Sequence, residues 1–533
     1  MKRLLSALFC ILLSLSITHA QQKKVLIMPV EINSLSFSFS TEQLDSLIGR
    51  CSQYFERLEG KYPREFELAP IIKLTQGRYS TQTAQLAVME AFKQCSKLLN
   101  MDDYDKNIGV IFSGGEIWPH ESLASKFNGS YFVVSEFFEG QAIGMGMICH
   151  EYGHILGLKD LYDTDEELSG GKSKGLWGKL ALMDKGERNN GMNTPAGLCA
   201  LDYHLLGLGE CDTLRVGEYV LEPISRSARY LYMPTDKTAE YYLFESRVQE
   251  GWDEYIGGEG MLVYHIDAST NKAGYSSYYD KSLSAQERWS LNQVNCRPDH
   301  PCALLLEATP DADTVSKVFF PALEGQSISS ESSPNLGFWS GGTAELALKN
   351  IQRLEDGSVS FKVIRPISQA EILSFQTAAL LSWSLDEFVK DEFTSASIVL
   401  SSEDAEEITI EQGLNDAGGI TLNIDGLKDN CLYKVELTVH TSSENYSRVN
   451  YFKTLRIDER NTIPFILTKG LDKKKIPLQV FNSYNAVEIR WSFDGESITV
   501  DSEGYYHITK SGTLRAELLY EDGSIDVINK EIR

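Results

Sequence analysis

The sequence predicts an α/β core followed by a β-rich region and then by small C-terminal β-sandwich domains. Three observations carry this expectation. Strand-like apolar runs alternate with helix-spaced segments up to about residue 204. Beyond it, helical spacing gives way to short runs of β-branched and aromatic residues split by Gly, Asp and Ser. From about residue 370 turn signals recur at short intervals, with no long repeat and no coiled-coil pattern. A chain of 533 residues also exceeds what one hydrophobic core usually serves, so three or four domains are expected.

Taken in order, residues 1–20 read as a signal peptide. Lys2 and Arg3 precede an apolar stretch over 4–17, and Ala20 offers a small residue for cleavage. This predicts a secreted protein, exported by the signal peptide to the extracellular space or the periplasm. No later segment is long and apolar enough for a membrane helix. Residues 24–31 (KVLIMPVE) predict a strand, and 41–58 a helix through Leu44, Leu47, Ile48 and Tyr54. A second helix is expected over 84–99. Buried strands are expected over 107–112 and 131–138, the latter either offering an edge to an extended ligand or lying fully inside the sheet, and a further helix over 141–156. Short strands follow at 219–221, 229–233, 241–245, 261–266, 304–307 and 359–363. The C-terminal part reads as strands at 396–400, 433–439, 486–491 and 513–519, which suits Ig-like sandwiches.

Composition narrows the partners. A formal charge of −25 argues against nucleic acid and anionic lipid, both of which need a basic face. Eight cysteines remain once Cys10 leaves with the signal peptide. Export permits disulfides, with Cys296–Cys302 the best pair by spacing and Cys199–Cys211 and Cys51–Cys95 weaker ones; reduced thiols are the alternative.

The chemistry concentrates in residues 150–160, HEYGHILGLKD. His150 and His154 stand four apart, so a helix puts both imidazoles on one face, within reach of one metal ion. Glu151 beside them is placed to take a proton from water, as in the H-E-x-x-H pattern of zinc proteases. Gly157 lets the helix end in a left-handed turn and brings Asp160 back as third ligand. Zinc accepts His nitrogen and Asp oxygen, and three ligands leave a position open for water. Asp163 and Glu166 are the alternatives for the third ligand, Glu166 implying a ligand from a later helix. A bare H-E-x-x-H arises by chance about once in a hundred chains of this kind, and the added Gly and Asp lower that roughly a hundredfold more. Downstream, Met183, with Met192 second, is the candidate for a methionine floor beneath the metal. His120, in Trp118-Pro119-His120, is either structural or on the substrate side. The acidic run Asp102-Asp103-Tyr104-Asp105 is a weak calcium candidate that lacks the glycine and final glutamate of a calcium loop.

Several stretches together resemble the secreted metalloproteases of the immune inhibitor A type. They are KVLIMPVE, Ile117-Trp118-Pro119-His120, HEYGHILGLKDLYD, LWGKLALMDKG, EYYLFESR, GEGMLVYHID, ALLLEA and the region of Ser333-Pro334-Asn335. The resemblance covers roughly residues 24–364. It implies a zinc endopeptidase acting on protein or peptide substrates, often with bound calcium, with His150, His154 and Asp160 as ligands and Glu151 as base. Lys159 stands where that family commonly has proline, and the long propeptide usual in the family is not seen ahead of the first strand. The expected organisation is therefore a signal peptide at 1–20 and a metzincin-like zinc protease core at 21–210. A β-rich continuation follows at 211–366, then a β-sandwich at 367–465 and a smaller one at 466–533. The C-terminal domains are candidates for binding glycan or matrix. The competing reading is a catalytically inactive surface-binding protein that uses the protease fold as a scaffold.

Overall fold

Strand β1 (Lys24–Glu31) is an unbroken apolar run because both of its faces are covered. Val25 and Ile27 enter a core shared with the helix Thr41–Tyr54, whereas Leu26, Met28 and Val30 face the helix Ala84–Cys95. That alternation is the two-residue period of a strand. Ser40 caps the first of these helices, accepting from Gln43 N at 3.2 Å, while Gln43 Oε1 accepts from Ser40 N at 2.7 Å. The computed structural model describes residues 23–532 except 59, 76, 125–128, 404–406, 456–464, 467–474, 479, 482–485, 500–504 and 521–522. The expected signal peptide and Cys10 lie outside the described residues.

β1 belongs to a six-stranded sheet with β2 (Phe66–Leu68), β3 (Ile72–Lys73), β4 (Tyr104–Phe112), β5 (His120–Ala124) and β6 (Gly129–Ser135). The order is β2-β1-β4-β6-β5, with β3 also on β1, and all pairings are parallel except that of β5 with β6. This decides between the two expectations for one strand. The apolar strand near 131–138 is interior, between β4 and β5, and the edge is β5. Its sequence, HESLA, carries no apolar run because an edge strand keeps one side in solvent.

The helix over Met145–Leu156 starts four residues later than its sequence pattern predicts. Phe137–Phe138 pairs with Gln141–Ala142 as a small hairpin, and Gly144 then occupies the N-cap position. A Cβ on Gly144 would lie 2.2 Å from Met192 O, and one on Gly146 2.0 Å from Glu187 O. Both glycines are needed for this close approach of backbone to backbone.

Beyond residue 204 two antiparallel-rich sheets dominate. One runs Ala303–Leu305, Gly260–Asp267, Glu240–Arg247, Arg229–Pro234, Glu210–Thr213; the other runs Gly217–Leu221, Val359–Ile364, Ala347–Arg353, Gln326–Ile328. Strands Glu240–Arg247 and Gly260–Asp267 are buried along their whole length. Leu243, Leu262 and Tyr264 pack into the core of the first sheet's helices, while Tyr242, Phe244 and Val263 pack toward the four-stranded sheet. The block is thereby fused to the N-terminal half.

The next segment forms a three-stranded sheet (Glu371–Ser374, Ala378–Trp383, Ile420–Asp425) and a four-stranded one (Ile408–Gln412, Phe393–Ser401, Leu432–Thr441, Asn445–Lys453). The two share one core, including Leu381, Trp383, Ile398, Leu422, Val435 and Phe452. A last four-stranded sheet gathers Glu496–Ser497, Ala486–Phe493, Gly512–Tyr520 and Ile525–Ile532. The eight described cysteines are all free. The expected pairs are therefore not formed, and seven of the eight thiols are buried as small apolar groups.

Candidate active site

The helix Met145–Leu156 is buried from Met145 through Gly153, so His150 and Glu151 point into the protein. It ends at Gly157, where φ is 105°, and Leu158 N closes the turn on Gly153 O at 3.0 Å. The reversal returns Asp160 to the helix. His150 Nε2 lies 3.1 Å and His154 Nε2 3.3 Å from the same oxygen, Asp160 Oδ1.

The far side of each ring is anchored. His150 Nδ1 meets Leu182 O at 3.0 Å and His154 Nδ1 meets Leu158 O at 3.1 Å. A carbonyl oxygen only accepts, so each Nδ1 carries a proton and, in the neutral ring, each Nε2 presents its lone pair inward. Asp160 is held in turn by Asn292. Asn292 Nδ2 donates to Asp160 Oδ2 at 2.6 Å, and Asp160 N donates to Asn292 Oδ1 at 2.8 Å.

Two buried oxygens here have no hydrogen-bond partner, Asp160 Oδ1 and Glu151 Oε2. Burial opposes charge on His150, yet its contact with Asp160 and the charges of Glu151 and Glu187 outweigh it and hold the imidazole at about 10. Burial likewise works against ionising Asp160, but the two imidazoles keep its carboxyl well below the usual range. The cluster is thus set up to receive positive charge. Burial pushes Glu151 up to about 7, with both imidazoles pulling against it and Asp160 and Glu121 adding to the rise. A divalent cation would displace the proton that His150 Nε2 holds against Asp160, and the two inward Nε2 atoms, the Asp160 oxygen and a free neighbouring carboxylate then fit it with one open position.

Met183 lies beneath the helix. Its Sδ sits 2.5 Å from where a Cβ on Gly153 would stand, so glycine between the two histidines makes room for it. Met183 O accepts from Leu161 N at 2.8 Å, tying this floor to the ligand loop. Met192 instead packs against Gly144 at the helix start. Asp184 Oδ2 accepts from Leu176 N at 2.8 Å and Gly178 N at 2.6 Å, folding the Gly-rich loop before Met183. Tyr162 stacks on His150, with ring centroids 6.3 Å apart, and burial keeps its phenol protonated.

The other sequence candidates fall outside the cluster. Asp163 turns toward Asp165 and Cys296, and Glu166 is exposed. His120 sits on β5 with Nδ1 2.8 Å from Trp118 O. Asp102 and Asp103 form an exposed turn, and Asp105 Oδ1 accepts from Asn107 N at 2.9 Å. Asn292 and Asn295 were missed. Asn295 Nδ2 donates to Leu161 O at 2.8 Å, so two asparagines, 132 and 134 positions downstream of the residues they hold, fix the ligand loop. Asn-Gln-Val-Asn carries no local signal of that role.

Among known proteins, residues 116–201 match the family model described as the immune inhibitor A peptidase M6, catalytic domain. A search of curated proteins finds no match. Similar solved structures include the fn3 domain of human collagen alpha-1(XX), at 10% identity over 18% of this chain and 91% of that one, TM-score 0.16. The FN5 domain of Drosophila Lar is similar at 12% identity over 17% and 94%, TM-score 0.14. A two-domain fibronectin type-III segment of chicken tenascin matches at 12% over 31% and 98%, TM-score 0.15. At such scores these likenesses carry no argument. The family match does, because its span holds β5, β6, the histidine helix, Asp160 and Met183 together, and over that stretch the chain is similar to the immune inhibitor A metallopeptidases.

Proposed function

We propose that the chain is a secreted zinc-dependent endopeptidase with a metzincin-like core, hydrolysing peptide bonds in proteins or peptides. The observation that carries this is the convergence of two Nε2 atoms on Asp160 Oδ1, at 3.1 and 3.3 Å, beside a Glu151 oxygen with no partner. A zinc ion held by His150, His154 and Asp160 would supply the Lewis acidity that activates water and polarises the scissile carbonyl. The chain's own groups do the rest. Leu182 O and Leu158 O hold the imidazole tautomers, and Asn292 keeps Asp160 turned inward. Glu151 takes a proton from the attacking water and passes it to the leaving amine. Its burial suits that task, because a carboxyl raised toward 7 is a stronger base than an exposed one.

The free edge of β5 supports binding of an extended substrate as an added strand, with Glu121 exposed along it. In this reading residues 21–210 form the catalytic core and 211–366 complete it, since Asn292 comes from the second stretch. Residues 367–465 and 466–533 are two appended Ig-like sandwiches. The test is a diverse peptide library incubated with the zinc-loaded chain and with the same chain after chelation. Cleavage should vanish on chelation and return with zinc. Cleavage indifferent to the chelator would refute the proposal.

A further inference from the structure

Three residues past Asp160 the same loop builds a second cluster that hydrolysis does not use. One oxygen each of Asp163 and Asp165 and the sulfur of Cys296 lie within 4.8 Å of one another. Asp165 is only 3% exposed, and its Oδ1 has no hydrogen-bond partner; neither has Asp163 Oδ2. The remaining oxygens are occupied locally. Asp163 Oδ1 accepts from Asp165 N at 3.2 Å, and Asp165 Oδ2 accepts from Ser169 Oγ. No salt bridge reaches either carboxylate among the described residues. The buried Arg288 lies near enough to feel the charge of Asp165, but it donates no hydrogen bond to either acid: its Nε and Nη2 are taken by the carbonyls of Ala273, Gly274 and Tyr275, and its Nη1 has no partner.

Two like charges packed together, with buried oxygens left open, are costly unless something positive joins them. Burial and the neighbouring Asp165 raise the Asp163 carboxyl, in keeping with that cost. We propose that Asp163, Asp165 and Cys296 form a second divalent-cation site, distinct from the His150–His154–Asp160 centre. Carboxylate oxygens and a thiolate together suit a borderline ion such as zinc, whereas a hard ion such as calcium would use the two carboxylates and leave the sulfur out. The placement gives the site a purpose. Thr164 Oγ1, between the two acids, donates to Asn292 O at 2.6 Å and contacts Cys296 Sγ at 3.2 Å. A cation here clamps the ligand loop onto the very segment whose Asn292 orients Asp160.

The test is metal stoichiometry, not activity. The full chain, stripped by chelation, is reloaded with zinc alone or calcium alone, or with both together, dialysed, and assayed by elemental analysis. With both ions supplied the account expects two equivalents in total, falling to one in Asp163→Asn/Asp165→Asn. Asp163→Asn alone, at a half-buried position, gives the same loss with less risk to folding. A second equivalent of zinc that disappears in Cys296→Ser identifies the sulfur as ligand, and a calcium equivalent that survives Cys296→Ser identifies an all-oxygen site. A single equivalent in the unmodified chain under every loading, or two equivalents retained in the double variant, overturns the proposal.

Discussion

Two buried charge clusters lie close to one another in the N-terminal half and differ in one respect. In the first, Arg247 is fully buried and every charge around it is met. Its Nε donates to Asp253 Oδ2 at 2.8 Å and its Nη1 to Glu245 Oε1 at 3.1 Å, and Tyr264 and Ala200 N satisfy Glu245 further. In the second, His150, His154 and Asp160 are also buried, yet Asp160 Oδ1 and Glu151 Oε2 are left without partners. Completeness marks a cluster whose role is to hold strands and loops together. Incompleteness, repeated at atoms that converge on one point, marks a place for a ligand.

The contrast can be broken most forcefully at Arg247. Arg247→Leu strands two buried carboxylates, and a urea titration should show a loss of roughly 3–5 kcal/mol. The metal content of the molecules that remain folded should not change. A loss below about 1 kcal/mol would mean that the cluster is not the structural one. Asn292→Ala tests the other side. It leaves the fold nearly intact but frees Asp160, so zinc affinity measured against a competing chelator should weaken about 10–100-fold. Unaltered affinity would deny Asn292 its positioning role. Gly153→Ala pushes Met183 from beneath the histidines, and should cost about 1–3 kcal/mol, read from the same titration. A variant as stable as the parent would show that the floor yields freely.

The smallest effect concerns pH. A protonated Glu151 cannot accept a proton, so its base function is present above its pKa and lost as pH falls through it. Burial holds the carboxyl at about 7 without metal, and a bound cation draws it down. The acid limb of kcat/KM should therefore lie between about 4, the range of an ordinary carboxylate, and about 7. Activity that keeps rising below pH 4 would exclude Glu151 as base.

What could be read from the sequence follows the range of the contacts. The strand Lys24–Glu31, the histidine helix, the turn at Gly157 and the return of Asp160 all rest on residues a few positions apart, and local spacing encodes them. Asn292 and Asn295 act across more than a hundred residues, and nothing around them distinguishes a ligand-orienting asparagine from a turn. Sequence alone leaves open whether the strand over 131–138 lies at an edge or inside, for a related reason. Apolar runs report burial, and β6 is buried because β5 covers it. The late start of the helix at Met145 depends on Gly144 and Gly146 lying against Met192 and Glu187, again a contact at a distance. The cysteine pairs suggested by spacing are not formed, because spacing along the chain does not report where side chains meet: Cys51 and Cys95 lie in different cores, and Cys211 is exposed while Cys199 is buried.

The central claim is that an incomplete cluster binds the metal while Glu151 works on the water beside it. Glu151→Gln separates these roles most directly, with zinc content and peptide cleavage measured on the same preparation. The account predicts a zinc content unchanged from the parent, the site of His150, His154 and Asp160 included, with turnover reduced by about 10²–10⁴-fold. Zinc retained together with near-parental cleavage would contradict it.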